Sequence, residues 1–362
     1  MATPARPVSA STRFSSPRPD LPVLVTGGGG FIGGWLIADL LRQGHTQIRA
    51  VDIKAIEQWH QVHSGVENVV LDLSDLASCR RATDGMGVVF NLAADMGGMG
   101  FIETHKAECM LSVLISTHML VAARDAGVKR FAYASSACVY NAAFQNTFDV
   151  APLREGDAYP AMPEDGYGWE KLFSERMARH FREDFGIATR VVRFHNVYGP
   201  EGAWTGGREK APAALCRKVA LAELTGRHEI EIWGDGRQTR SFTYVDDAVF
   251  GLQLVAWGDV TDPLNVGSSE LVSINQMVGI VEAVADITLE RSYDLGAPKG
   301  VRGRNSDNTR ILAEYGWEPS TRLADGLAAT YRWVRKQVAA QLVAEGTPTV
   351  GGGHLASTPS AR

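Results

Sequence analysis

Val23-Leu-Val-Thr-Gly27-Gly-Gly-Gly30-Phe-Ile-Gly33 decides the reading of this chain. An apolar strand runs into glycines spaced three apart, and an apolar helix follows. The first glycine permits a tight turn, the second lets backbone approach a pyrophosphate, and the third lets helix and strand pack closely. The phosphates then rest on the first N–H groups of the helix that opens at Phe31 and Ile32, at the positive end of its dipole. A run of glycines alone says little, but here a second strand, Ile48–Asp52, follows and ends on a carboxylate. Asp52 stands about twenty residues on, where a carboxylate accepts both ribose hydroxyls of NAD and repels a 2′-phosphate. Gly27, Gly30, Phe31, Ile32, Gly33 and Asp52 are therefore expected to bind NAD.

Outward from that loop, strand and helix alternate. Pro22–Thr26, Ile48–Asp52, Val69–Leu71, Val88–Ala93, Phe131–Ser135 and Ala188–Phe194 read as short apolar strands. Phe31–Gln43, Glu108–Ala126 and Tyr167–Phe185 read as helices between them. The rhythm predicts an α/β fold, a Rossmann-type doubly wound parallel sheet closed by Ala188–Phe194. Beyond residue 195 it loosens. Helical Ala211–Ala222, Asp246–Trp257, Ile274–Ala285 and Leu323–Gln341 interleave with short strands such as Glu229–Trp233. The expected organisation is an NAD-binding domain at 21–195 and a smaller C-terminal α/β substrate lobe at 196–345, with segments interleaved. Residues 1–20 and 346–362, rich in small, polar and Pro residues, read as disordered tails.

The 362 residues are 45% hydrophobic and 21% charged, an ordinary globular balance that can bury a core without staples. A formal net charge of −5 argues against nucleic acid as a partner, so any bound anion needs a local basic cluster. Cys79, Cys109, Cys138 and Cys216 are scattered, which fits neither a disulfide framework nor a metal site. A reducing, cytoplasmic setting is expected. Arg6, Arg13 and Arg18 among serines, against the single acid Asp20, leave an organelle transit peptide open. No apolar run approaches the ~18–20 residues that span a bilayer, so no membrane is expected.

Tyr167-Gly-Trp-Glu-Lys171 puts a phenol and an amine on one helical face, about thirty residues after a strand ending Ser135-Ser136. A tyrosine is a poor base at its ordinary pKa of ~10. A neighbouring ammonium and the nicotinamide charge would bring it toward working pH. Ser136, ahead of Ser135, would hold a substrate hydroxyl. Asp72, after the third strand, suits the adenine edge.

Together with Arg193-Phe-His-Asn196-Val-Tyr-Gly-Pro200 and Gly234-Asp-Gly-Arg-Gln238-Thr-Arg240, these features resemble the extended short-chain dehydrogenase/reductase family over about residues 22–340. Further strings narrow the resemblance: Ala93-Ala-Asp-Met-Gly-Gly-Met-Gly, Ala134-Ser-Ser-Ala-Cys138, Gly206-Gly-Arg-Glu-Lys210-Ala-Pro and Gly300-Val-Arg-Gly-Arg-Asn-Ser-Asp-Asn. They are similar to the branch that inverts C3 and C5 of a GDP-sugar. The resemblance implies Tyr167 and Lys171 as redox pair and Cys138 with Lys210 as base and acid. It adds Ala93 to the cofactor set. Gly98, Ser136, Asn196, Glu209, Lys210, Lys218, Gln238 and one of Arg302 or Arg304 become substrate contacts. Lys218, Arg240, Arg302 and Arg304 supply the cationic grip that a diphosphate requires. A homodimer is the family habit.

Ser241 stands where the wider family usually has Asp, which matches the 3,5-inverting branch. Tyr140-Asn141 lacks a usual Pro, Gly166 replaces an alanine, and Leu221–His228 is a few residues longer. Two rivals remain at this point. A 4-epimerase gives Lys210 no role, and a dehydratase needs an acidic pair where Ala137-Cys138 stands. A non-catalytic NAD-binding regulator needs no Ser-Tyr-Lys set.

Overall fold

The computed structural model describes residues 18–298 and 300–348. The tails expected at 1–20 and 346–362 therefore lie mostly outside the described residues. β1 (Val23–Thr26), α1 (Phe31–Arg42), β2 (Ile48–Asp52) and β3 (Glu67–Val70) come first. α2 (Leu76–Thr83), β4 (Val88–Asn91), α3 (Met99–Thr104), α4 (Lys106–Asp125) and β5 (Arg130–Ser136) follow. Next are α5 (Tyr167–Phe185), β6 (Ala188–Phe194), β7 (Val197–Tyr198), α6 (Ala211–Thr225) and β8 (Glu229–Trp233). The chain continues through β9 (Thr239–Ser241), β10 (Thr243–Tyr244), α7 (Val245–Trp257), β11 (Leu264–Val266) and β12 (Leu271–Ser273). It ends with α8 (Ile274–Ala285), β13 (Glu290–Asp294), β14 (Gly303–Arg304), α9 (Thr309–Tyr315) and α10 (Leu323–Ala344).

Seven parallel strands form the main sheet in the order β11-β6-β5-β4-β1-β2-β3. The expectation that Ala188–Phe194 closes the sheet is corrected, because β11 pairs outside it. Three residues in a Pro-Leu-Asn-Val-Gly run are too few for a periodicity reading. The central strands β1 and β4 are buried throughout because helices cover both faces. On one face α1 and α7 pack on Val25, Phe90, Val192 and Leu264. On the other, α2, α4 and α5 pack on Leu24, Val89 and Phe131.

The interleaving has a physical basis. α7, β11 and α9 lie beyond residue 195, yet Trp257, Val266 and Ile311 join the core under the main sheet. The second core is built from α6, α8, α10 and β8, through Val219, Met277, Val334 and Ile232. Residues 221–225 form the end of α6, closed by Gly226 at φ 69°. Gly166 stands at φ +74° with its Cβ position against Lys106, a conformation that suits glycine and not alanine.

One expectation about length fails. α4 is long and apolar enough to cross a membrane by length and composition, because its charges gather at its two ends. Here it packs its Met119–Ala123 face into the protein core instead.

Candidate active site

The glycine loop joins β1 to α1. Thr26 Oγ1 donates to Asn91 Oδ1 at 2.8 Å and accepts from the N–H groups of Leu92 and Ala93. This draws the β4 loop, with Ala93, against Gly27, which stands at φ +68°. A Cβ on Gly33 would run into the Gly27 carbonyl, so only glycine lets α1 start this close. No side chain caps α1 at Gly30, and its first turn carries no acid. The leading N–H groups of Phe31, Ile32 and Gly33 thus meet the requirement for a pyrophosphate. Asp52 is buried at the end of β2, with Oδ1 accepting from the Lys54 N–H at 3.1 Å. These residues fit NAD. Asp72 is exposed and accepts from the Ser74 N–H at 2.8 Å.

The strand end of β5 separates the two serines. Ser135 is buried and donates to Glu175, which forms a two-pronged ion pair with Arg193 at 2.8 and 2.7 Å. Its role is structural. Ser136 Oγ accepts from the Cys138 N–H at 3.2 Å and acts on the phenol of Tyr167 by hydrogen bonding. Helix α5 then presents Tyr167 and Lys171 on one buried face. The Lys171 ammonium lies 5.4 Å from the Tyr167 ring centre, 4.9 Å from that of Tyr133, and 3.6 Å from Glu170. Burial, the charge of Cys138 and that of Glu170 push the Tyr167 phenol well above its ordinary range. In the protein alone, loss of hydration dominates at this phenol.

Lys210 lies near enough to Cys138 for the charge of the sulfur to act on its amine. Lys210 caps the N-terminus of α6, and burial brings its amine below the usual lysine value. Cys138 behaves oppositely. Burial, then Glu164, push its thiol up to about 12, against the opposing pull of Arg304. In the protein by itself, desolvation thus outweighs the cation at this thiol.

The substrate candidates differ in how they are held. Asn196, at φ 43°, donates to the Ser241 carbonyl at 3.0 Å. Gln238 donates to the Trp233 carbonyl and leaves Oε1 buried and without a partner. Lys218 donates to the Glu231 carbonyl at 2.7 Å, and Glu209 pairs with Arg217 at 3.1 Å. Arg240 is buried, and burial with Arg304 nearby brings its guanidinium down to about 10. Arg302 and Arg304 part company. Arg302 is exposed, 4.9 Å over the Phe148 ring, whereas Arg304 is buried with its guanidinium on Cys138, Glu164 and Gln145.

Sequence reasoning missed Glu164 and Gln145. A carboxylate three residues before Tyr167 looks like an ordinary helix-start acid. It also missed how the Gly98 loop is held. The Gly98 N–H donates to the Arg208 carbonyl at 3.0 Å, and Arg208 donates to Asp95 at 2.6 Å and to the Met96 carbonyl at 3.2 Å. Its guanidinium also lies 3.8 Å over the Phe101 ring. A Cβ on Gly98 would strike the Glu209 carbonyl, so this approach needs glycine.

Comparison with known proteins agrees with this geometry. GDP-mannose 3,5-epimerase 1 of Oryza sativa subsp. japonica is 47% identical over 323 residues, 89% of this chain and 84% of the relative. GDP-mannose 3,5-epimerase of Arabidopsis thaliana is 45% identical over the same shares. Among solved structures, MoeE5 in complex with UDP-glucuronic acid and NAD superposes with a TM-score of 0.72 at 29% identity, covering 87% of this chain and 99% of that one. Residues 23–267 match a family description that names both the cofactor and the chemistry, and the chain belongs to that NAD dependent epimerase/dehydratase family.

Proposed function

We propose that this chain inverts C3 and C5 of GDP-α-D-mannose to give GDP-L-galactose, with GDP-L-gulose when only C5 inverts. The observation that carries the reading is that Cys138 packs beside Tyr167 and Lys171, with Lys210 near enough for the charge of the sulfur to act on its amine. A 4-epimerase has no use for an amine opposite a thiol. The names of the plant relatives point the same way. NAD, held by the glycine loop and Asp52, supplies transient oxidation of C4 and is restored in each cycle.

Tyr167 takes the C4 hydroxyl proton, Lys171 holds the charge beside it, and Ser136 fixes the hydroxyl. A ketone at C4 makes the protons on C3 and C5 acidic. One proton moving from the Cys138 thiol to the Lys210 amine creates a thiolate base and an ammonium acid together. The thiolate removes a proton from one face and the ammonium returns one from the other, which is what inversion requires. Gly98, Asn196, Glu209, Lys218, Gln238, Arg240 and Arg302 are read as sugar, base and diphosphate contacts.

We also read the chain as a homodimer. Met110, Leu111 and Leu114 on α4 and Trp169 and Phe173 on α5 are exposed on two adjacent helices, an apolar face suited to a second copy. Four reduced cysteines fit work in the cytoplasm.

The test is incubation with GDP-mannose in deuterated water and location of deuterium by NMR. Deuterium at C3 and C5 with L-configured products is expected. Lys210→Ala loses both the acceptor of the thiol proton and the acid, so deuterium entry at those carbons should slow, and what enters should leave the sugar manno-configured. Label confined to C4 or C6, or none, would refute the reading.

A further inference from the structure

Arg304 uses every nitrogen of its guanidinium inside the pocket. Nε donates to Gln145 at 2.7 Å, Nη2 to Glu164 at 2.6 Å, and Nη1 lies 3.6 Å from the Cys138 sulfur. Glu164 is itself tied to Cys138 through the backbone, its N–H donating to the Cys138 carbonyl at 2.9 Å. Gly168 leaves room for that carbonyl, since a Cβ there would collide with it. The second carboxylate oxygen, Oε2, is buried and takes no other hydrogen bond. A buried carboxylate so placed has no part in the cycle described above. Its pairing with Arg304 offsets the cost of burying both charges and holds the guanidinium beside the thiol.

We propose that Glu164 is a positioning residue for Cys138: it fixes Arg304 against the sulfur and, by its own charge, keeps the proton on that sulfur. This deepens the proposed reaction and rests on it, because the thiol is there the base. Cys138 is faced by Glu164 before α5, Tyr167 on α5, Lys210 at the head of α6, Arg240 on β9 and Arg304 on β14. The cations favour thiolate, whereas Glu164 and the burial of the site oppose it. Glu164 therefore weights the pair toward thiol and amine. Without it, the same cations would favour thiolate and ammonium before any sugar had entered, exposing the sulfur to oxidants and alkylating agents.

The test is the rate at which iodoacetamide labels Cys138 in the NAD-loaded enzyme at fixed pH, read by mass spectrometry of the peptide. In Glu164→Gln the rate should rise. Each unit of added acidity gives about tenfold more thiolate, but a less basic thiolate is a weaker nucleophile, so the rate gains about threefold. Glu164→Asp should fall between the two, and Arg304→Met should be slower than the parent. A Glu164→Gln rate no greater than the parent's overturns the proposal, as does faster labelling in Arg304→Met. The pH profile of deuterium entry at C3 and C5 should shift downward in Glu164→Gln as well. If labelling accelerates while that profile stays put, the control of the thiol by Glu164 stands and the role of Cys138 as the base falls.

Discussion

Arg208→Ala tests whether a surface contact places a catalytic amine. The guanidinium pairs with Asp95 at 2.6 Å, donates to the Met96 carbonyl and covers Phe101 at 3.8 Å. Both partners of the ion pair are half exposed, so the pair itself contributes only about 0.2–1 kcal/mol. The ring contact adds about 0.5–1 kcal/mol, and the carbonyl bond a similar amount. The whole loss is then roughly 1–3 kcal/mol. Unfolding entropy of about 2 cal/mol/K per residue turns that into a fall of about 2–4 °C in Tm. Turnover should suffer more. Lys210 lies two residues along the same loop, and a 1 Å misplacement costs about a hundredfold. We expect epimer formation, followed by NMR of the sugar anomeric protons, to fall about tenfold to a hundredfold. Deuterium entry by the Cys138 face should change far less. Arg208→Lys should recover the ion pair but not the stacked fork, and so only part of the rate. Normal epimer formation in an Arg208→Ala protein whose Tm has moved as stated would refute the reasoning.

Three further outcomes are expected. Asp52→Ala should weaken NAD binding by roughly 1.5–3 kcal/mol for each charge-assisted bond lost, and narrow the preference over NADP; titration of cofactor-free protein measures both. Tyr167→Phe should stop both transient NADH absorbance and proton exchange, whereas Cys138→Ala should keep the absorbance and stop exchange at C3 and C5. Because burial lowers the Lys210 amine, its ammonium form is lost as pH rises, earlier than for an ordinary lysine. Epimer yield per exchange event should therefore decline on the alkaline side at a pH below ~10.4, and a flat ratio up to that pH would contradict the assignment.

The elements that position the cofactor could be read from residue pattern alone. β2, α5, β6, β8 and α8 have the predicted bounds. Each is long or strongly apolar, or ends at a Gly or Asp that stops it. Short or polar elements escaped: β11 has three residues, and α2 carries Arg80 and Arg81 in place of an apolar stripe. At the site, spacing and resemblance pointed to Tyr167, Lys171, Cys138 and Lys210, but not to what burial does to them. Burial raises both the Tyr167 phenol and the Cys138 thiol, and a sequence shows neighbours and not lost hydration. Arg302 and Arg304 looked equivalent for a related reason. Strand pairing begins at Gly303, so only Arg304 is carried inward with β14.

The path of the chain between the two cores has a consequence for how this enzyme can be divided. After β6 it leaves the main sheet, returns to it as α7 and β11, leaves again through α8, and returns once more as α9 before ending in α10. A fragment stopping near residue 195 would lack the sheet's edge strand and the helix covering one face. It would expose Phe90 and Val192 and leave strand edges unpaired. The substrate lobe is therefore no cassette to be exchanged between relatives at one junction. An enzyme with a new sugar preference would have to be made by changing side chains around the pocket, within a chain whose halves are sewn together.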